Sequence, residues 1–258
     1  MTKKIVSAVL ALVMALSLAA CGSKVPTAEE LVSGGWPGQD SDLDVDVTMS
    51  IRADISAEAL GIAAEELSGS MEMGLVADVH LERTEKLSHS DGTVALSMFG
   101  MSYDVGMDEW MVMEDDGSVT TYVYDSDVGD WVEGAATEGD SGLPVDVFGV
   151  ESGEFTDLAM TTEGDVYVVT GRVDAARFAA LGLSDLAESM TGSDVPDGAK
   201  MDVEMKYDKA SHALLSFSMA IDPETVTSVD GVAFSDFSFE VVVNATSGVE
   251  LSLPEELR

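Results

Sequence analysis

The sequence predicts an α+β protein that is mostly β. The expected architecture is a curled antiparallel sheet of about ten strands, an unclosed half-barrel, with two or three helices on its concave side. Three observations predict it. Long stretches alternate apolar and polar residues with a period of two, the mark of a strand with one wet face. Turn signals such as Asp91-Gly92, Asp115-Asp116-Gly117 and Glu163-Gly164 separate these stretches, so consecutive strands are expected to pair as hairpins. Only two or three stretches carry helical spacing, and an apolar sheet this long must curl, which leaves the helices the concave apolar side to cover.

Taken in order, the chain opens on Lys3 and Lys4, an apolar run from Ile5 to Leu18, and Leu18-Ala19-Ala20-Cys21. This reads as a secretory signal. The last four residues resemble the lipobox of bacterial lipoproteins, which implies cleavage after residue 20 and lipidation of the Cys21 thiol. A plain signal peptide cut nearby and a transmembrane helix are the alternatives. The run is short for a span, which needs roughly 20 apolar residues, and Gly22, Ser23 and Lys24 break it. Residues 22–41 read as a tether with one short helix, opened by the capping box Thr27-x-x-Glu30 and ended by Gly34-Gly35. The expected organisation is therefore a signal peptide over 1–20, lipidated Cys21 and tether over 21–41, and one half-barrel domain over 42–258.

Leu43, Val45, Val47, Met49 and Ile51 alternate with acids and hydroxyls and predict the first strand. The acids Asp42, Asp44 and Asp46 do not make an EF-hand loop, because the sixth and twelfth positions from Asp42 hold Val47 and Ala53 instead of Gly and Glu. Residues 56–68 suit a short helix. Met71 to Leu81 predict a strand, Asp91-Gly92 its turn, and Thr93 to Val105 the return, with Phe99, Met101 and Tyr103 on one face. Trp110–Glu114 and Val119–Tyr124 predict the next hairpin. Residues 125–153, rich in Gly and acid, read as a long excursion punctuated by Trp131 and Pro144. Phe155–Thr162 and Asp165–Val173 predict a hairpin, followed by a helix over about Ala175 to Met190. Met201, Val203, Met205 and Tyr207 predict a strand, and the turn from Asp208 to Ser211 leads to Leu215, Phe217, Met219 and Ile221. Val232–Val243 and a short final strand Val249–Leu253 complete the chain.

Composition bounds the function. There are 12 Lys and Arg against 49 Asp and Glu, a net charge of −37, and removal of the first 20 residues would make the rest more negative still. Nucleic acid is excluded as a partner, since binding it requires neutralising phosphates. Anionic headgroups would repel the body, so membrane attachment would rest on the acyl chains at Cys21. The acids suggest divalent cations, a saline habitat, or simply a solvated surface. Cys21 is the single cysteine, which rules out an internal disulfide, thiol catalysis and cysteine-based metal sites in the body of the protein. Gly139-Asp140-Ser141-Gly142 matches part of a serine-protease nucleophile sequence, but Leu143 stands where another Gly is needed, and neither His80 nor His89 has a matching context. No nucleophile elbow, P-loop or dinucleotide fingerprint occurs. His80, His89 and His212 show no metal-ligand spacing, and His80, between Asp78 and Glu82, reads as a solvated residue on a polar strand face. No enzyme activity, cofactor or metal is expected.

The order of elements resembles the LolA/LppX-like class of bacterial lipoproteins and lipoprotein carriers. The resemblance rests on a lipobox leading into a short helix and a period-two strand; Tyr122-x-Tyr124 followed by Trp131; Tyr167-x-Val169-x-Gly171-x-Val173 running into a helix; the hairpin through Tyr207-Asp208-Lys209; and the ending Leu253-Pro254-Glu255-Glu256. It implies an open barrel wrapped around helices, with an apolar cavity for acyl chains. The strong acidity and the 132–153 excursion depart from the pattern. On this reading the protein is a non-enzymatic lipoprotein on the extracytoplasmic face of the cell membrane that binds or carries an apolar ligand. The cavity candidates are Met101, Tyr103, Trp110, Tyr122, Tyr167, Met205, Phe217 and Met219. Methionine suits an adaptable apolar site, and equally an ordinary core in which it fills gaps. The alternative function is a surface interaction module whose core is filled by its own residues and whose acidic exterior meets protein partners or cations.

Overall fold

A computed structural model of the chain describes residues 25–34, 42–56, 70–98, 100–114, 118–134, 152–174, 200–222 and 232–257. Eleven strands form one antiparallel sheet: β1 Leu43–Ser56, β2 Ser70–Arg83, β3 Leu87–Met98, β4 Met101–Met113, β5 Val119–Asp125, β6 Asp130–Glu133, β7 Thr156–Glu163, β8 Val166–Asp174, β9 Lys200–Asp208, β10 Leu214–Ile221 and β11 Val232–Ala245. The order is β6-β5-β4-β3-β2-β1-β11-β10-β9-β8-β7, so every pair but one joins strands consecutive in sequence. The exception, β1 against β11, brings the first and last strands together in the middle of the sheet. The sheet is curled and unclosed, as expected.

One α-helix is described, α1 (Ala28–Gly34). Its capping box is formed: the Thr27 N–H donates to Glu30 Oε2 at 2.9 Å, and the Glu30 N–H donates to Thr27 Oγ1 at 3.2 Å. Ala28, Leu31 and Val32 are buried in the same apolar cluster as the sheet residues, so this helix docks on the body. The helices expected over 56–68 and 175–190 fall almost wholly outside the described residues, as do the signal peptide with Cys21 and most of the 132–153 excursion.

Side chains alternate between the two faces of a strand, and the register carries one apolar face across the sheet. A single cross-strand row reads Met107, Gly92, Val79, Val47, Val241, Phe217, Met205, Val169 and Met160, over nine strands. The neighbouring row on the other face includes Asp108, Asp91, His80, Asp46 and Lys206.

Five expectations are corrected. Asp91-Gly92 is no turn but lies inside β3. The chain reverses instead between Thr84 and Leu87, where the Thr84 N–H donates to the Leu87 carbonyl at 2.8 Å. Gly92 is glycine for another reason: a Cβ there would run into the Asp78 carbonyl and come within 2.8 Å of Val79 Cα on β2. The expected return strand is broken after Met98, and Gly100 takes φ +72° in the β3–β4 turn. Trp131 belongs to strand β6. The turn before it is closed by Asp125, whose Oδ1 accepts from the Asp127 and Val128 N–H groups, and by Gly129 at φ +72°. In β10 a register shift puts Leu214 on the inner face in place of Leu215. Finally, Val249–Leu253 is no strand, since β11 already pairs with β1 on one side and β10 on the other.

Candidate functional site on the apolar sheet face

The apolar face is closed over one half of the sheet and open over the other. The change is visible along one cross-strand row, from Phe237 on β11 through Ile51, Leu75 and Leu96 to Tyr103 on β4. Phe237, Ile51 and Leu75 are 4%, 3% and 7% exposed, whereas Leu96 is 39% and Tyr103 57% exposed. Met98, Met101, Val105, Met113, Val123 and Val132 extend the open part over β3 to β6, all on the same face and all exposed. The Tyr103 hydroxyl reaches the Met101 thioether at 3.8 Å, so the two side chains lie together along β4. Contiguous apolar surface of this kind marks a contact site more often than chance.

Among the described residues, three carboxyls stand on this face: Glu109 within it, and Asp125 and Asp130 where β5 turns into β6. Glu109 faces Ser90 on β3 and Val123 on β5, and burial pushes its pKa up from the ordinary 4.5. A group so placed gives the middle of this face a protonatable point.

The eight candidate residues fall into three settings. Tyr167, Met205, Phe217 and Met219 lie in the closed core, with Phe217 only 1% exposed and edge-on to Phe239. Met101 and Tyr103 lie on the open apolar face. Trp110 and Tyr122 pair across β4 and β5 on the opposite face, where Trp110 is buried with the His89 ring stacked 4.3 Å from its own. The eight candidates leave out Leu96, Met98 and Val105, although Met98 belongs to the run of methionines that suits a cavity. The signal was present in the alternation from Val94 to Val105, but reading that stretch as one unbroken strand hides that Met98 and Met101 face each other across a turn.

The opposite face carries the acids. A groove of about 560 Å³ crosses β8 to β11 and β1 there, lined by Thr48, Thr170, Arg172, Ser218, Ser238 and Glu240 among others. Its one cation is engaged: Arg172 Nε donates to Asp202 at 2.8 Å, and a terminal nitrogen lies 3.6 Å from Asp222. Nearer β4, His80 Nδ1 lies 2.9 Å from Asp46 and His89 Nε2 lies 3.0 Å from Asp108. For His80, burial pulls the pKa down, but the Asp46 hydrogen bond and the charges of Asp44, Asp46 and Glu82 outweigh it and leave the pKa raised.

No protein-family model matches the chain, and no curated protein sequence matches it. Among solved structures, the chain is similar to a domain from Vibrio parahaemolyticus provisionally named an outer membrane lipoprotein-sorting protein, at 10% identity and TM-score 0.21, over 86% of this chain and 91% of that one. It is similar also to a DUF1329 family protein from Desulfovibrio piger, at 8% identity and TM-score 0.22, over 81% and 89%. A third similarity is to a porin-like protein from Bacteroides uniformis, at 8% identity and TM-score 0.18, over 76% and 95%. Superpositions this loose leave the strand order above as the description of the fold.

Proposed function

We propose that the chain is a non-enzymatic, membrane-anchored lipoprotein of the extracytoplasmic face that binds or carries an apolar, acyl-chain ligand, and that the ligand lies on the open half of the apolar face. One observation carries this reading: the face that forms the core runs on uncovered into Leu96, Met98, Met101, Tyr103 and Val105. Each methylene desolvated there would contribute about 0.8 kcal/mol. The flexible thioethers of Met98 and Met101 would adapt to chains of different shape. Cys21 would supply the anchor, and the acidic opposite face would keep the body off anionic headgroups. The burial of Tyr167, Met205, Phe217 and Met219 favours the second reading, an interaction module with a self-filled core, for the other half of the sheet.

The test is mass spectrometry of lipid extracted from protein purified without detergent, with Cys21 replaced by Ser to remove the anchor. Near-stoichiometric acyl lipid, lost in Met101→Asp/Tyr103→Asp, is the expected result. These two positions are exposed, so the variant should keep its unfolding midpoint. A folded protein with no bound lipid overturns the carrier reading and leaves the interaction module.

A further inference from the structure

We propose that Asp44, His80 and Glu82 form a binding site for a divalent transition-metal ion on the polar face, with His89 placed to join them. One ligand atom of each of the three lies within 4.8 Å of the other two. The backbone fixes this proximity: Asp44 on β1 is directly opposite Glu82 on β2, and His80 is two residues along on the same face. Bonds of about 2.0–2.2 Å to one ion would draw these atoms together by roughly an ångström, which side-chain rotation supplies.

Carboxylates are scattered over this whole surface, so the acids alone would single out nothing. The imidazoles do. His80 Nδ1 donates to Asp46 Oδ1 at 2.9 Å, and Asp46 is itself held by Asn244 Nδ2 at 3.0 Å. The proton of the neutral ring therefore sits on Nδ1, and the lone pair is on Nε2, which faces Asp44 Oδ1 at 3.9 Å. His89 repeats the arrangement in mirror order. Its Nε2 donates to Asp108 Oδ1 at 3.0 Å, its ring is fixed against Trp110, and Nδ1 faces Glu82 Oε2 at 3.9 Å. Two imidazoles, each oriented by a carboxylate on the far nitrogen, thus turn their lone pairs toward Asp44 and Glu82, that of His89 lying also 4.0 Å from Asp91 Oδ1. Metal-binding histidines are held in this way, because the far hydrogen bond fixes both tautomer and ring orientation. Asn244 also donates to Asp44 Oδ1 at 2.9 Å, so one amide anchors the ligand carboxylate and the orienting one.

The donor set names the class of ion. Imidazole nitrogen with carboxylate oxygen suits zinc and its first-row neighbours, while calcium and magnesium take oxygen alone. The sequence hid the site because its donors come from β1, β2 and β3, up to 45 positions apart, and only His80-x-Glu82 is close in sequence.

The experiment is titration of zinc, then calcium, into the full-length protein after chelator dialysis, followed by calorimetry, with X-ray absorption at the zinc edge on the loaded protein. Saturable binding of one zinc ion is expected. His80→Ala should weaken it at least tenfold and His89→Ala severalfold, while Glu163→Gln on the far edge strand should leave it unchanged. The absorption spectrum should show nitrogen and oxygen neighbours with imidazole scattering. Zinc binding that is indifferent to His80→Ala, calcium binding of equal strength, or a shell of oxygen or sulfur alone would each overturn the proposal. The last would point to the surface acids or to Cys21.

Discussion

The two halves of the sheet are written in the same alternation, yet one is a core and the other a surface. Strands β1, β2 and β8 to β11 bury most of their inner residues, with Met49, Met73 and Val79 partly covered, and α1 adds Leu31 and Val32 to the same cluster. Strands β3 to β6 keep the pattern but leave Met98, Met101, Tyr103 and Val123 exposed. Period-two patterning therefore says which face is apolar and not whether anything covers it. Cover is a property of the neighbours a strand acquires, and those come from residues far along the chain.

The sharpest way to break this comparison is to truncate one aromatic in each half. Phe217→Ala leaves a cavity beside Phe239 and Met205 and should cost about 3–5 kcal/mol. Tyr103→Ala removes a side chain that is more than half exposed and should cost under about 0.5 kcal/mol. Urea midpoints at constant m-value measure both. Similar losses for the two would mean that the open half is covered in solution.

A pair of glycines within the open half tests a different contact, strand against strand, at smaller scale. Gly92 and Gly106 sit in neighbouring strands. Alanine at 92 would collide with the β2 backbone, where no rotamer change gives relief, and should cost about 1–3 kcal/mol. At Gly106 nothing lies within 4 Å of the added methyl, so Gly106→Ala should be neutral or stabilise by a few tenths of a kcal/mol. Thermal midpoints compare them directly. A costly Gly106→Ala would show that something packs over the polar side of β4 there.

These particulars also explain what the sequence could reveal. Strand number, hairpin order and the helix cap followed from local rules, because alternation, turn chemistry and capping act within a few residues. The Asp91-Gly92 dipeptide misled because glycine serves both tight turns and close backbone approach, and only the register of β2 against β3 distinguishes the two. That error displaced the turn, and carrying the return strand on to Val105 hid that Met98 and Met101 face each other across the next turn. The site was less legible than the fold. Trp110 and Met101 lie on one strand, nine residues apart, and an odd spacing sends them to opposite faces. The grouping of His80 with Asp44 required the β1–β2 pairing, which no local signal supplies.

The smallest expected effect concerns pH, and the two faces should differ in its sign. On the apolar face, burial raises the pKa of Glu109 above its ordinary 4.5. The folded state then holds the proton more tightly than the unfolded chain, so stability falls as pH rises from 4.5 through the folded value, and is level beyond it. On the polar face, hydrogen bonds from Asn244 and His80 lower the pKa of Asp46. Its contribution is present above 3.8 and is lost as pH falls through the folded value. Glu109→Gln should therefore abolish the decline above pH 4.5 and raise stability at neutral pH. Solvent screening of a partly exposed group holds the gain to about 0.5 kcal/mol, or roughly 1–2 °C in midpoint. Asp46→Asn should act in the opposite direction, lowering stability at neutral pH and leaving it unchanged in acid. Thermal melts at half-unit steps from pH 3 to 8 would resolve the two profiles. If both variants shifted the curve the same way, Glu109 would be paired with a cation in solution, and the open face would not be the apolar surface that ligand binding requires.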